Sequence, residues 1–128
     1  MTPPVTGSIT FFYYNDLERA ARFYGETLGF QLVNDPGFAK VYHAGAGIHV
    51  GLVDGHRGSM KPTKDKPVML SLFVNDVDAW YRHLLVKGLK LDPPTEPGYN
   101  PMRVLIFKDP EGYTLEFLQW LTPNGKMA

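Results

Sequence analysis

Glu116 sits among the apolar residues Leu115, Phe117 and Leu118, where a carboxylate is costly unless it is paired or wet. Such a group can anchor a ligand, or act as a catalytic general base if burial raises its pKa. The plainer alternative is a salt bridge to Arg103 or a lysine. His49 lies in a second apolar run and could hydrogen-bond a ligand or pass a proton near neutral pH. A strand histidine satisfied by its own neighbours is the competing reading. Arg103 offers a planar fork to a ligand carboxylate, or a partner to Glu116. Gly51 interrupts a β-prone stretch, which often marks close approach by a ligand or another backbone. His43 and His56 have weaker claims, and His83, inside a helical pattern, is expected to face solvent. There is no Gly-x-Ser-x-Gly elbow, glycine-rich phosphate loop or zinc-protease helix motif, so nothing supports nucleophilic hydrolysis.

The elements that must position these residues form a repeat. Asn15-Asp16-Leu17-Glu18 recurs as Asn75-Asp76-Val77-Asp78. Each copy follows a β-prone run, residues 9–14 and 68–74, and each Asp stands where a helix N-cap belongs. The helix faces predicted from three-to-four spacing are Leu17, Ala20, Ala21, Tyr24 and Leu28, then Val77, Trp80, Tyr81, Leu84 and Leu85. Trp80 and Tyr81 therefore read as core. Gly29 and Gly88 are helix stops. Strand-like stretches follow each helix: 30–33, 38–43 and 48–53 in the first copy, 89–91, 102–107 and 113–120 in the second. Turn residues separate them, among them Asn34-Asp35-Pro36-Gly37 and Asp109-Pro110-Glu111-Gly112. The unit is β-α-β-β-β, used twice. Residues 9–53 make module one and 68–120 module two. Residues 1–8 and 121–128 are tails. Residues 54–67 are a polar linker, or a flap that carries Arg57, Lys61, Lys64 and Lys66 over a ligand. The proline-rich loop 92–101 could serve likewise.

Composition bounds the function. The chain has 128 residues, 44% hydrophobic and 20% charged, with a formal net charge of zero. That length supports one domain with a proper core. The charge balance argues against nucleic acid as a partner. With no cysteine, disulfides and thiolate chemistry are excluded. No apolar run reaches the roughly 18–20 residues of a membrane span, and residues 1–8 lack a secretory layout, so the expected location is the cytoplasm. Aromatic residues are 13% of the chain, which suits either a small aromatic ligand or a packed core.

Residues Asn15 to Ala20, Phe23-Tyr24, Leu28-Gly29-Phe30, Asn75 to Asp78 and the stretch Phe107-Lys108-Asp109-Pro110-Glu111-Gly112-Tyr113-Thr114-Leu115-Glu116-Phe117 resemble the vicinal oxygen chelate superfamily, the glyoxalase and bleomycin-resistance group. The resemblance covers about residues 9–120. It implies an α+β fold in which two βαβββ modules form an open, curved mixed sheet around a cleft, commonly in a homodimer. Metal-dependent members draw four ligands from the first and last strands of the two modules. Carried over, those positions fall on Ile9, Gly51, Met69 and Glu116. Isoleucine and glycine offer no donor, and methionine is too soft for the usual ions. The resemblance thus implies the metal-free branch, which includes antibiotic-binding resistance proteins, and no cofactor. A divalent metal is the alternative if the register is shifted.

Strand alternation then selects the ligand-binding side chains. Phe11 and Tyr13 share a face with Ile9. Ser71 and Phe73 share one with Met69. Thr114 goes with Glu116, and His49 with Gly51. With Arg103, these make an aromatic wall with sparse polar anchors, as small-molecule sites have. Trp120 could be core, dimer contact or cleft rim. The expected function is metal-independent binding of a small aromatic or amphipathic molecule, for sequestration or resistance. The rivals are a metal-free proton-transfer enzyme using Glu116, and a metal-dependent lyase or dioxygenase.

Overall fold

The computed structural model describes residues 1–98 and 101–122. Parts of the expected loop 92–101 (residues 99–100) and C-terminal tail (residues 123–128) lie outside the described residues. The chain divides into two compact units, Met1–Lys64 and Asp65–Ala128, with the boundary inside the expected linker. Each unit carries its own open mixed sheet.

In the first unit the order along the chain is β1 (Ser8–Tyr14), α1 (Leu17–Arg22), β2 (Gln31–Asn34), β3 (Ala39–Gly45) and β4 (Ile48–Asp54). The sheet order is β1-β4-β3-β2, with β1 parallel to β4 and the other pairs antiparallel. The Asp16 side chain accepts from the Arg19 amide at 3.1 Å and starts α1 as the sequence predicts. The helix does not run on to Gly29 as an α-helix. Phe23–Thr27 widens into a π-helical turn, in which the Leu28 amide donates to the Phe23 carbonyl at 2.9 Å. The wider turn buries Phe23 as well as Tyr24. Leu17, Ala20, Ala21, Tyr24 and Leu28 are all buried, as their spacing requires. They face a layer containing Phe12, Tyr14, Tyr42, Val50 and Leu52. Tyr14 and Tyr24 join hydroxyls at 3.1 Å, and Tyr42 donates to the Ala21 carbonyl. These bonds let phenols sit in the core without an unmet polar atom.

The second unit contains β5 (Met69–Phe73), α2 (Val77–Val86), β6 (Met102–Lys108) and β7 (Thr114–Trp120), in sheet order β5-β7-β6. The Asp76 side chain caps α2 through the Ala79 amide at 3.0 Å. Val77 and Leu84 are fully buried, whereas Trp80 and Tyr81 are half-buried and Leu85 is exposed. Leu85 stands eight residues beyond Val77, about 80° around the helix axis, so it falls off the buried stripe. Trp80 instead packs its ring against Phe117, 4.5 Å between centroids.

The strand expected at residues 89–91 does not form. Among the described residues of this segment, Thr95 alone reaches the free edge of β6, in an isolated antiparallel bridge with Val104. Two bonds make it, Thr95 N–H to Val104 C=O at 2.9 Å and the reverse at 2.8 Å. Pro93 and Pro94 explain why the pairing falls at Thr95. Neither has an N–H to donate, and each restricts the residue before it. The first residue past them with an amide is the one that pairs.

The Asp109-Pro110-Glu111-Gly112 turn joins β6 to β7. The buried Asp109 carboxylate accepts from the amides of Glu111 at 3.0 Å and Tyr113 at 2.9 Å. This part of the sequence signature is thus a structural device for a tight hairpin.

Candidate functional site

The two sheets carry matching ladders. On β1 and β4, Ile9 pairs with His49, Phe11 with Gly51 and Tyr13 with Val53. On β5 and β7, Met69 pairs with Thr114, Ser71 with Glu116 and Phe73 with Leu118. Ile9 and Met69 each stand seven residues before a capping aspartate. The ladders therefore correspond residue for residue, and Gly51 holds in the first the place Glu116 holds in the second. The four positions implied to bind metal present isoleucine, glycine, methionine and one carboxylate. That donor set does not fit a divalent cation. Among the described residues no three of His, Asp or Glu are grouped so as to hold a metal ion.

Phe11 and Ile9 project from the face of the first sheet opposite its packed helix, and both are exposed. A cavity of about 680 Å³ opens here, lined among others by Ile9, Phe11, Val33, Asn34, Val41 and His49. Gly51 is explained from within the unit: a Cβ there would lie 2.4 Å from Phe11 Cδ1. Within the unit, the Phe11 ring makes the close approach to Gly51 that the sequence leads one to expect. His49 stands directly across from His43 on β3, with ring centroids 5.1 Å apart. His43 thus joins the site, which the sequence had ranked low.

Tyr13 is half-buried, its hydroxyl 3.5 Å from that of Ser59. The chain after β4 folds back at this end of the face. A Cβ on Gly58 would lie 2.7 Å from Val53 and 3.0 Å from Tyr13, and one on Gly55 would strike Pro62. Arg57 lies over the Phe38 ring, and Lys61 donates to the Gly55 carbonyl. Lys66, in the second unit, lies over the Tyr113 ring at 4.9 Å, so three of the linker's four Lys and Arg side chains are committed to their own units.

In the second unit the corresponding face carries Met69, Ser71 and Phe73 on β5 and Thr114, Glu116 and Leu118 on β7. Ser71 Oγ donates to Glu116 Oε1 at 2.8 Å, so the carboxylate finds a hydroxyl partner rather than a cation. Lys108 donates to Thr114 Oγ1 at 2.6 Å. Phe73 is 54% exposed and stacks on Trp120, 6.0 Å between centroids and 20° between planes. Ile106 and Lys108 share this face and were not singled out from the sequence, and Trp120, for which a place on the cleft rim was one expectation, lies on it too. Extending the alternation of β7 to residue 120, and counting β6 back from its pairing with Glu116, would have found them.

Arg103 requires correction. It pairs with Gln119 across the ladder, an odd step from Glu116, and so lies on the helix side of the sheet. Its Nε and Nη2 grip the two oxygens of Asp78 at 2.9 and 2.8 Å, and Nη1 reaches Glu96 at 3.3 Å. These hydrogen bonds hold the Asp78 carboxyl below its usual range. Arg103 ties α2 and residue 96 to β6, and neither meets Glu116 nor shares its face. His83 is also corrected: it is half-buried, with its ring edge-on to Trp80 at 5.4 Å.

No curated protein matches the sequence. Solved structures do. A glyoxalase/bleomycin resistance protein from Streptomyces sp. CB03234 is 30% identical, with 88% of this chain and 99% of that one covered at a TM-score of 0.69. An antibiotic binding protein from the same organism is 28% identical, covering 91% and 97% at a TM-score of 0.74. The lactoylglutathione lyase of Agrobacterium tumefaciens is 21% identical, covering 91% and 95% at 0.73, which is a likeness of fold alone. The family model for the glyoxalase/bleomycin resistance protein/dioxygenase superfamily matches residues 7–117, through both capped helices and the Asp109 hairpin. With its paired ladders and that match over most of its length, the chain belongs to the glyoxalase/bleomycin resistance protein/dioxygenase superfamily.

Proposed function

We propose that this protein binds small, largely aromatic molecules without a divalent metal at the superfamily's ligand positions. We take it to be a cytoplasmic, homodimeric protein that sequesters its ligand, with resistance to a toxic compound as the benefit. One observation carries the reading: each sheet leaves the face opposite its helix rich in exposed aromatic and aliphatic side chains, with Phe11 46% and Phe73 54% exposed. Ile9, Met69 and Ile106 are exposed on the same faces. Unpacked apolar surface with few polar anchors suits a ligand of that chemistry. The superfamily likeness to an antibiotic binding protein supports the same class.

The test is intrinsic fluorescence quenching against a panel of polycyclic and phenolic compounds in the presence of EDTA. Binding in EDTA is expected for at least one compound, weakened at least about tenfold by Phe73→Ala, as loss of a stacked aromatic anchor entails. Binding seen only after a metal is supplied would overturn the reading.

The Ser71–Glu116 bond favours one refinement. Glu116 Oε1 is occupied by the serine, and Oε2 has no hydrogen-bond partner among the described residues. That oxygen can accept a ligand hydroxyl or a proton. Glu116→Gln separates the roles: an anchor loses affinity, whereas a catalytic base keeps affinity and loses turnover.

A further inference from the structure

His43 and His49 are placed as a pair by the fold. They stand directly opposite each other on antiparallel β3 and β4, so both side chains leave the same face of the sheet. Their ring centroids lie 5.1 Å apart with 48° between the planes. Both are half-buried, and neither ring hydrogen-bonds to any described residue, so all four ring nitrogens remain available. Neither residue holds one of the four positions treated above.

We propose that His43 and His49 form a two-imidazole site for a borderline divalent transition-metal ion, with copper(II) bound before zinc or nickel. A metal–nitrogen bond of about 2.0–2.1 Å puts an ion about 3.2 Å from each ring centre. With one nitrogen of each ring turned toward the ion, two centres 5.1 Å apart subtend about 105° there, close to the tetrahedral angle. Neutral imidazoles suit copper, zinc and nickel, and the absence of a carboxylate beside them disfavours magnesium and calcium. His49 also lines the cavity described above, from which water or an oxygen donor of a small molecule can complete the coordination. The site is independent of the metal-free binding proposed above.

The experiment is calorimetric titration of the full chain, stripped of metal, with copper(II) and then zinc in a non-coordinating buffer. The copper complex is also examined by electron paramagnetic resonance. One ion per chain is expected, with nitrogen hyperfine structure from two imidazoles. His43→Gln and His49→Gln should each weaken binding at least about tenfold, a loss of the size seen when metal-site groups are removed. His56→Gln and His83→Gln should match the unaltered protein. Circular dichroism confirms that each variant is folded, and His43→Asn replaces His43→Gln if it is not. Binding that survives both substitutions, or no binding at all, overturns the site. Aromatic binding measured in EDTA reads the proposed function separately, so either can fail alone.

Discussion

Gly51 shows how one residue can lack a donor and still carry a packing duty. In the ladder it stands where Glu116 stands in the second sheet, and by type it reads as a lost ligand. The structure gives it a packing duty: Phe11 Cδ1 and Cε1 would lie 2.4 and 2.5 Å from a Cβ at that position. Gly51→Ala must therefore push the ring off the sheet. Overpacking of this kind costs about 1–3 kcal/mol. Because Phe11 is half exposed and can swing outward, the lower end is expected. The cost should largely vanish in a Phe11→Ala background, since the clashing atoms are then gone. Urea denaturation of the two single variants and the double variant measures this coupling. An unchanged cost in the absence of the ring would show that Gly51 is needed for something other than Phe11.

The start of α2 is held both by its own cap and by a side chain from another element. Its Asp76 cap bonds the Ala79 amide in an exposed setting. The Val77 amide is met instead by the Gln119 side chain, reaching across from β7 at 2.9 Å in a part-buried one. The cap could be read from the repeat of Asn-Asp before an apolar helix pattern. The Gln119 contact could not, because it joins residues 42 apart and depends on how the helix packs on the sheet. The two losses should differ in size. Asp76→Ala frees a donor that water can serve, a cost of about 1 kcal/mol. Gln119→Ala leaves a donor that water reaches poorly, and losing a buried partner costs about 1–3 kcal/mol. Urea midpoints should therefore fall further for Gln119→Ala. Equal or reversed shifts would mean that water replaces the Gln119 oxygen without loss.

Across the whole molecule, what the sequence made legible was local in origin. Both caps, the Gly29 and Gly88 stops, and all seven described strands follow from patterns within a dozen residues, while one of the eight expected strands does not form. In place of a strand at residues 89–91 the described chain pairs with β6 at Thr95, the first amide past Pro93 and Pro94. Site residues on β1, β5 and β7 were legible because alternation fixes a face. Arg103 was misplaced because its partners, Asp78 and Glu96, are brought together only by the packing of α2 and the following loop on β6. That same non-local pairing governs how the protein meets acid. Asp35 in the first unit and Asp78 in the second both titrate below their ordinary range, Asp35 chiefly through its bond to Lys40 and then to the Gly37 amide, and Asp78 through Arg103. A carboxylate with a depressed folded pKa contributes stability above its unfolded pKa of about 3.9, and loses it as pH falls through the lower folded value. Both pairs are only partly buried and both carboxylates reach solvent, so the effect is modest and screened by salt. Thermal midpoints should therefore drop below about pH 4 in the unaltered protein. The drop should be shallower in Asp78→Asn, which no longer has that charge to lose. At pH 7 the variant should sit slightly below the unaltered protein, and added sodium chloride should narrow the gap. Scanning calorimetry from pH 7 to pH 2 at low and high salt makes the comparison. Parallel curves at all pH values would mean that the Arg103–Asp78 bond adds nothing to folding free energy that depends on charge.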